Sequence, residues 1–117
     1  LCPGDSHFSP ETDQSIYERE LMRTEAALQE MDNAVETLID IHNSPVTKLL
    51  LLHYPPFNES NAPSGFTDLM EQYKVDTCIF GHLHDQISFK RIPQEFGSTK
   101  LELVSADYLD FTLKQIM

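Results

Sequence analysis

Three histidines stand where an apolar run gives way to a turn. His53 follows Leu49-Leu50-Leu51-Leu52, and His82 and His84 follow Cys78-Ile79-Phe80 across Gly81. Neutral imidazole, with an ordinary pKa near ~6.5, is a ligand for zinc, manganese and iron at physiological pH. The two-residue step from His82 to His84 suits extended backbone, where positions i and i+2 point to one side; on a helix they diverge. Gly81 is read as the residue that lets the chain leave its strand sharply beside a ligand. The chemistry these residues could do is to hold a metal. A metal would bring positive charge to a chain with 8 Lys and Arg against 19 Asp and Glu.

For the histidines to meet, both apolar runs must end on the same side of one sheet. Residues 46–52 and 75–80 read as short strands covered on both faces. Between them, Phe66, Leu69, Met70 and Tyr73 mark a two-turn helix over 66–73, preceded by a loop containing Pro55, Pro56, Asn58, Pro63 and Gly65. Strand, helix and strand form a crossover unit with parallel strands. His53 and the His82, His84 pair then reach the carboxyl edge, where open α/β sheets bind ligands, and the three imidazoles are expected to converge there.

Upstream, Ser9-Pro10-Glu11 starts a helix: a capping hydroxyl, a proline preset for the first turn, and an acid at the positive end of the dipole. Tyr17, Leu21, Leu28, Met31, Val35 and Leu38 form its apolar stripe to about Ile41. The stripe can run unbroken as one helix or break in two, and then at Asp32-Asn33; His42-Asn43-Ser44-Pro45 is its end. Downstream, Ile87, Phe89 and Arg91, then Leu101, Leu103 and Ser105, then Phe111, Leu113 and Gln115 alternate as antiparallel strands do, with turns near 94–98 and 106–110. His42 suits the negative end of a helix, Asn58 suits a turn, and Asp85 is placed to orient an imidazole.

The chain has 117 residues, enough for one domain, and its 40% hydrophobic and 23% charged content is that of a globular protein. A net charge of -11 argues against binding nucleic acid or anionic lipid. No apolar run approaches the ~20 residues of a membrane helix and no signal segment opens the chain, so no membrane association and a cytoplasmic location are expected. Cys2 and Cys78 do not make a disulfide framework and read as free thiols, Cys78 buried and inert. The opening Leu1-Cys2-Pro3-Gly4, without an initiator Met, suggests a portion of something longer.

His53-Tyr54-Pro55-Pro56 after one strand, Gly81-His82-Leu83-His84 after the next, and the closing Ser105-Ala106-Asp107-Tyr108-Leu109-Asp110-Phe111 together resemble the carboxyl-terminal half of the calcineurin-like metallophosphoesterases. The likeness covers residues 46–117, and the long acidic helix resembles the one before this half in bacterial members. It implies an α/β fold: half of an αββα sandwich, with a long amino-terminal helix or helix pair within 1–45, one βαβ unit and trailing antiparallel strands. It also implies a phosphohydrolase of phosphomonoesters or phosphodiesters, including small-molecule or nucleotide substrates, with two divalent metal ions such as Mn, Fe or Zn. His53 and His82 would bind one metal and His84 the other.

The family's amino-terminal half supplies an Asp-x-His, a Gly-Asp-x-x-Asp and a Gly-Asn-His-Asp/Glu. Asp5-Ser6-His7 spells the first but follows Pro3-Gly4 rather than an apolar strand. The active site in this chain is therefore incomplete and inactivity is expected of it alone. Without a partner layer, Ile87, Phe89, Leu101 and Leu103 are expected on an exposed face that drives formation of a homo-oligomer. The alternative is a stand-alone interaction module whose three histidines hold a single metal; structural zinc sites usually take four ligands and often Cys, which this trio lacks.

Overall fold

The computed structural model describes residues 2–42 and 45–116, so the helix end expected at Asn43-Ser44 lies outside the described residues. In chain order the elements are α1 (Pro10–His42), β1 (Leu49–Leu52), α2 (Gly65–Gln72), β2 (Thr77–Phe80), α3 (Gln86–Arg91), β3 (Glu95–Phe96) and β4 (Thr99–Leu103). The fold is mixed α/β: a long amino-terminal helix and a four-stranded sheet in the order β1-β2-β4-β3. The expected parallel pairing of β1 and β2 is present, Leu50 opposite Cys78 and Leu52 opposite Phe80. β4 also runs parallel to β2, and only β3 runs antiparallel, on β4.

Register explains the core. Leu50, Cys78 and Leu101 form one cross-strand row and Leu52, Phe80 and Leu103 the next. These residues pack with Leu28 of α1, with Leu69, Met70 and Tyr73 of the α2 segment, and with Phe57. Ser64 starts α2 as a cap: its hydroxyl accepts from the Phe66 and Thr67 N–H groups, and the Ser64 N–H donates to Thr67 Oγ1 at 2.7 Å. The Gly65 N–H donates to the Tyr17 hydroxyl at 2.8 Å, which pins the start of α2 to α1. Lys48 Nζ, bonded to Asp32 at 2.7 Å and to the Tyr73 carbonyl at 2.9 Å, ties both helices to the approach of β1.

Three expectations are corrected, and of the two arrangements expected before residue 45, α1 is the unbroken one, a single helix of 33 residues, about 50 Å at ~1.5 Å per residue. Its far end outruns the sheet, leaving Leu38 and Ile39 exposed. Residues 87–91 are helical, because Asp85 caps α3 by accepting from the Ser88 N–H and hydroxyl, both at 2.8 Å, while Lys90 and Arg91 sit at the negative end of the dipole. The stretch around Phe111, Leu113 and Gln115 forms no strand, since Asp110 and Phe111 take left-handed backbone that no strand accommodates. Leu101 and Leu103 belong to a parallel strand and are buried, and Phe89 packs against the core; the side chain of Ile87 lies outside the described residues.

The face carrying Leu49, Leu51, Ile79 and Glu102 is the opposite one, and there Leu51, on edge strand β1, is 68% exposed. Toward β4 this face is polar, with Glu102 bonded to Lys100 at 3.0 Å and to Lys114 at 2.6 Å. Burial opposes ionisation of the Glu102 carboxyl, but the bonds from Lys114 and Lys100 outweigh it and hold its pKa below the usual glutamate value. Among the described residues no helix is long and apolar enough to cross a membrane.

Candidate metal-holding edge

Because β1, β2 and β4 are mutually parallel, all three carboxyl ends open on one edge. His53 leaves β1 there, Gly81-His82 leave β2, and Ser105 with Asp107 follow β4. Two bonds continue the ladders past the strands: the Gly81 N–H donates to the His53 carbonyl at 3.0 Å, and the Val104 N–H to the Phe80 carbonyl at 2.8 Å. The parallel direction of β4, which alternation alone did not disclose, is what delivers Asp107 to the histidines.

His82 is where this backbone is strained. Its φ is +71°, and the Leu83 N–H donates to the Gly81 carbonyl at 2.9 Å, closing a γ-turn with His82 at its centre. A residue with a Cβ is uncommon at positive φ, and such strain collects at functional sites. The expected role of Gly81 is corrected by the same observation. A Cβ at Gly81 would meet only ordinary contacts at 3.8 and 3.9 Å, so the unusual conformation sits on the histidine and not on the glycine.

The structure brings two of the three imidazoles into a pair. The His53 and His82 ring centroids are 5.2 Å apart, and the Tyr54 ring lies against both, at 4.8 Å from His53 and 4.2 Å from His82. Burial, chiefly, and then the neighbouring His53 hold the His82 pKa below the ordinary histidine value, which keeps the ring neutral and able to donate a lone pair at neutral pH.

His84 takes a different partner: its Nδ1 is 2.9 Å from Asp107 Oδ1. The bond from His84 holds the Asp107 pKa below the usual aspartate value. An ionised carboxylate only accepts, so His84 Nδ1 carries the hydrogen and the lone pair is on Nε2, the arrangement by which carboxylates orient metal-binding histidines. Asp107, not Asp85, is the carboxylate set against an imidazole, and the signal for it was its place in the closing segment after β4. Among the described residues no group of three or more His, Cys, Asp and Glu side chains is gathered closely enough to hold a metal ion. The donors at this edge are the His53–His82 pair and His84 Nε2.

One more group marks the edge. Ser105 Oγ, in a residue 4% exposed, is the single buried side-chain oxygen or nitrogen among the described residues without a hydrogen-bond partner. It lies 3.9 Å from where a Gly81 Cβ would stand. Such orphans are rare and call for an explanation in what the site binds.

The amino-terminal segment walls the site. Beside His82 is a cavity of about 410 Å³ whose wall mixes Tyr54, Phe57 and Leu83 with the polar groups of Asp5, His7, Glu59, Ser88 and Arg91. Asp5 is a clasp: its oxygens accept from the Cys2 N–H at 2.8 Å and the Glu59 N–H at 2.7 Å, while Glu59 accepts from the Ser6 N–H and hydroxyl. Asn58 is likewise structural, donating to the Pro3 carbonyl and accepting from the Ser60 and Ala62 N–H groups. Gly4 is required for this docking, since its φ is +96° and a Cβ would come within 2.4 Å of Asn58 Nδ2. Cys2 and Cys78 are free, buried thiols, pushed by burial to pKa values of about 11 and about 12, which leaves both unreactive. Comparison of the chain with family models, with curated proteins and with solved structures finds no match to any of the three.

Proposed function

We propose that this chain is the carboxyl-terminal portion of a metal-dependent phosphohydrolase of the calcineurin-like type, acting on phosphomonoesters or phosphodiesters. The observation that carries the reading is the meeting, at one carboxyl edge of three parallel strands, of the His53–His82 pair, the strained turn at His82 and the Asp107-backed His84. The lowered pKa of His82, the carboxylate against His84 Nδ1 and an orphaned buried hydroxyl at Ser105 suit a divalent cation and the groups around it. His53 and His82 would hold one cation and His84 a second. When bound, such cations supply Lewis acidity to a phosphoryl group and lower the pKa of water. The residues of this chain orient and tune; none is assigned as a general acid.

The test is hydrolysis of aryl phosphodiesters in Mn²⁺. The 117-residue chain alone is expected to match buffer, because the remaining ligands lie outside it. In the intact protein, His53→Ala and His82→Ala should each remove bound metal and activity while the fold still melts cooperatively. Turnover by the isolated chain that is lost on chelation, or full metal content in either variant, would contradict the reading.

The same proposal gives the Leu51 face of the sheet a covering layer, as in a sandwich of two sheets packed ~10 Å apart. In the isolated chain that face and edge strand β1 are expected to pair with a second copy, more tightly as salt screens the charge of -11. Sedimentation should show a dimer or larger species; a 13.4 kDa monomer at both low and high salt would refute it.

A further inference from the structure

A second cavity, of about 490 Å³, lies between α1 and the end of β1 and shares Tyr54 and Pro55 with the first as lining. Its α1 wall is one helical stripe, Asp13, Ile16, Tyr17, Glu20 and Thr24, at the three- and four-residue spacing of a single face. The facing wall is Leu52, His53 and Tyr54, with Phe66 between the two. The volume lies within the ~300–1,000 Å³ range of small-molecule sites, whose walls are mostly apolar. Ile16 is 47% exposed and Tyr54 44% exposed, so apolar surface at this wall is left for something to cover.

We propose that this cavity seats an uncharged aromatic group of the ester, so that the substrate is an aryl or similarly ring-bearing phosphate rather than a small alkyl or polyphosphorylated one. The proposal rests on the phosphohydrolase reading. Tyr54 supplies the link: its ring lines this cavity and also touches His53 and His82, so a group stacked on it is one ring away from the imidazole pair. Tyr17 and Phe66 present two more rings, set edge to face at 5.6 Å, and the Tyr17 hydroxyl is already taken by the Gly65 N–H.

The charges at the mouth favour a neutral occupant. Asp13 accepts from the Ser9 N–H at 2.8 Å, and Glu20 is paired with Arg23 at 2.9 Å and Arg19 at 3.4 Å, so neither carboxylate calls for a cation from the ligand. Both repel a further phosphate. The groups of Asp5, His7, Glu59, Ser88 and Arg91 line the other cavity, which includes His82, while this one has Ile16 and Tyr17 of α1, so the ring of the ester goes toward α1.

Calorimetry on the intact protein with Zn²⁺ tests this by comparing 1-naphthyl phosphate with methyl phosphate. The naphthyl ester is expected to bind at least tenfold more tightly, and Ile16→Gln or Thr24→Trp, both in the α1 wall of the cavity, should bring the two esters to within twofold. Without metal, 2-naphthol should shift the NMR signals of Ile16 and Tyr54 in the parent chain and not in Thr24→Trp. Equal affinity for the two esters, or a preference unchanged by both substitutions, would overturn the aromatic seat. Binding of naphthol with neither ester bound in Zn²⁺ would instead overturn the phosphohydrolase reading beneath it.

Discussion

Replacing His82 by glycine is expected to raise the midpoint of thermal unfolding and, in the same molecule, to cut divalent-metal affinity at least a hundredfold. The stability gain comes from the backbone. At φ +71° an L-residue carries roughly 1–2 kcal/mol of steric cost that glycine does not. The greater freedom of glycine in the unfolded chain takes back about 0.4–1 kcal/mol. The net is up to about 1.6 kcal/mol, or several degrees in a domain of this size. The exposed His82 ring gives up little packing in exchange. The affinity loss follows from removing a donor outright, since disturbing only the outer partners of a metal ligand costs about 10–100-fold. His82→Ala separates the two effects: it loses the ring but keeps a Cβ at positive φ, so it should lose the same affinity without the gain in melting temperature. A glycine variant that melts no higher than the alanine variant would remove the strain argument.

Phe80→Ala should be the most destabilising single change. Phe80 is fully buried at the carboxyl end of β2, in register between Leu52 and Leu103, and packs edge to face on Phe57 at 5.9 Å. Truncating such a ring costs about 3–5 kcal/mol, through lost burial and the cavity left behind. Small domains have about 5–15 kcal/mol in total. Because Phe80 is the last residue before Gly81-His82, the loss falls directly beneath the edge that carries His53 and His82. The urea midpoint should drop sharply at unchanged slope, and the buried Cys78 thiol should react much faster with a disulfide reagent. A loss below about 1 kcal/mol would mean that Phe80 is not the keystone of the core.

The parts of this fold that were legible in the sequence are those with a strong local signal. Leu49–Leu52 and Thr77–Phe80 are apolar runs ended by punctuation, and the helix between them shows its own stripe at Phe66, Leu69, Met70 and Tyr73, so the parallel pair and the edge position of His53 and His82 follow. The segment after His84 was not legible. Ile87-Ser88-Phe89-Lys90-Arg91 alternates over too few residues to separate a strand from a short helix, and the deciding contact is the Asp85 cap on Ser88. The direction of β4 is set by tertiary pairing with β2, which no five-residue pattern encodes, and with it went the placement of Asp107 and the burial of Leu101 and Leu103. Gly81 drew attention as the only glycine at the site, while the strain is borne by its neighbour His82, where positive φ leaves no mark in residue type. Asp32-Asn33 left one helix or two open, since these residues favour turns; Asp32 reaches Lys48 and α1 passes through unbroken.

The central proposal, that the carboxyl edge of the three parallel strands holds divalent cations, one through His53 and His82 and a second through His84, is tested most directly by following the imidazole NMR signals of the full chain during titration with Zn²⁺. The His53 and His82 signals are expected to move together, those of His84 to move through Nε2 while its Nδ1–H to Asp107 persists, and those of His7 in the neighbouring cavity to stay in place. Movement of His7 alone, or no response from His53 and His82 at saturating Zn²⁺, would contradict the claim.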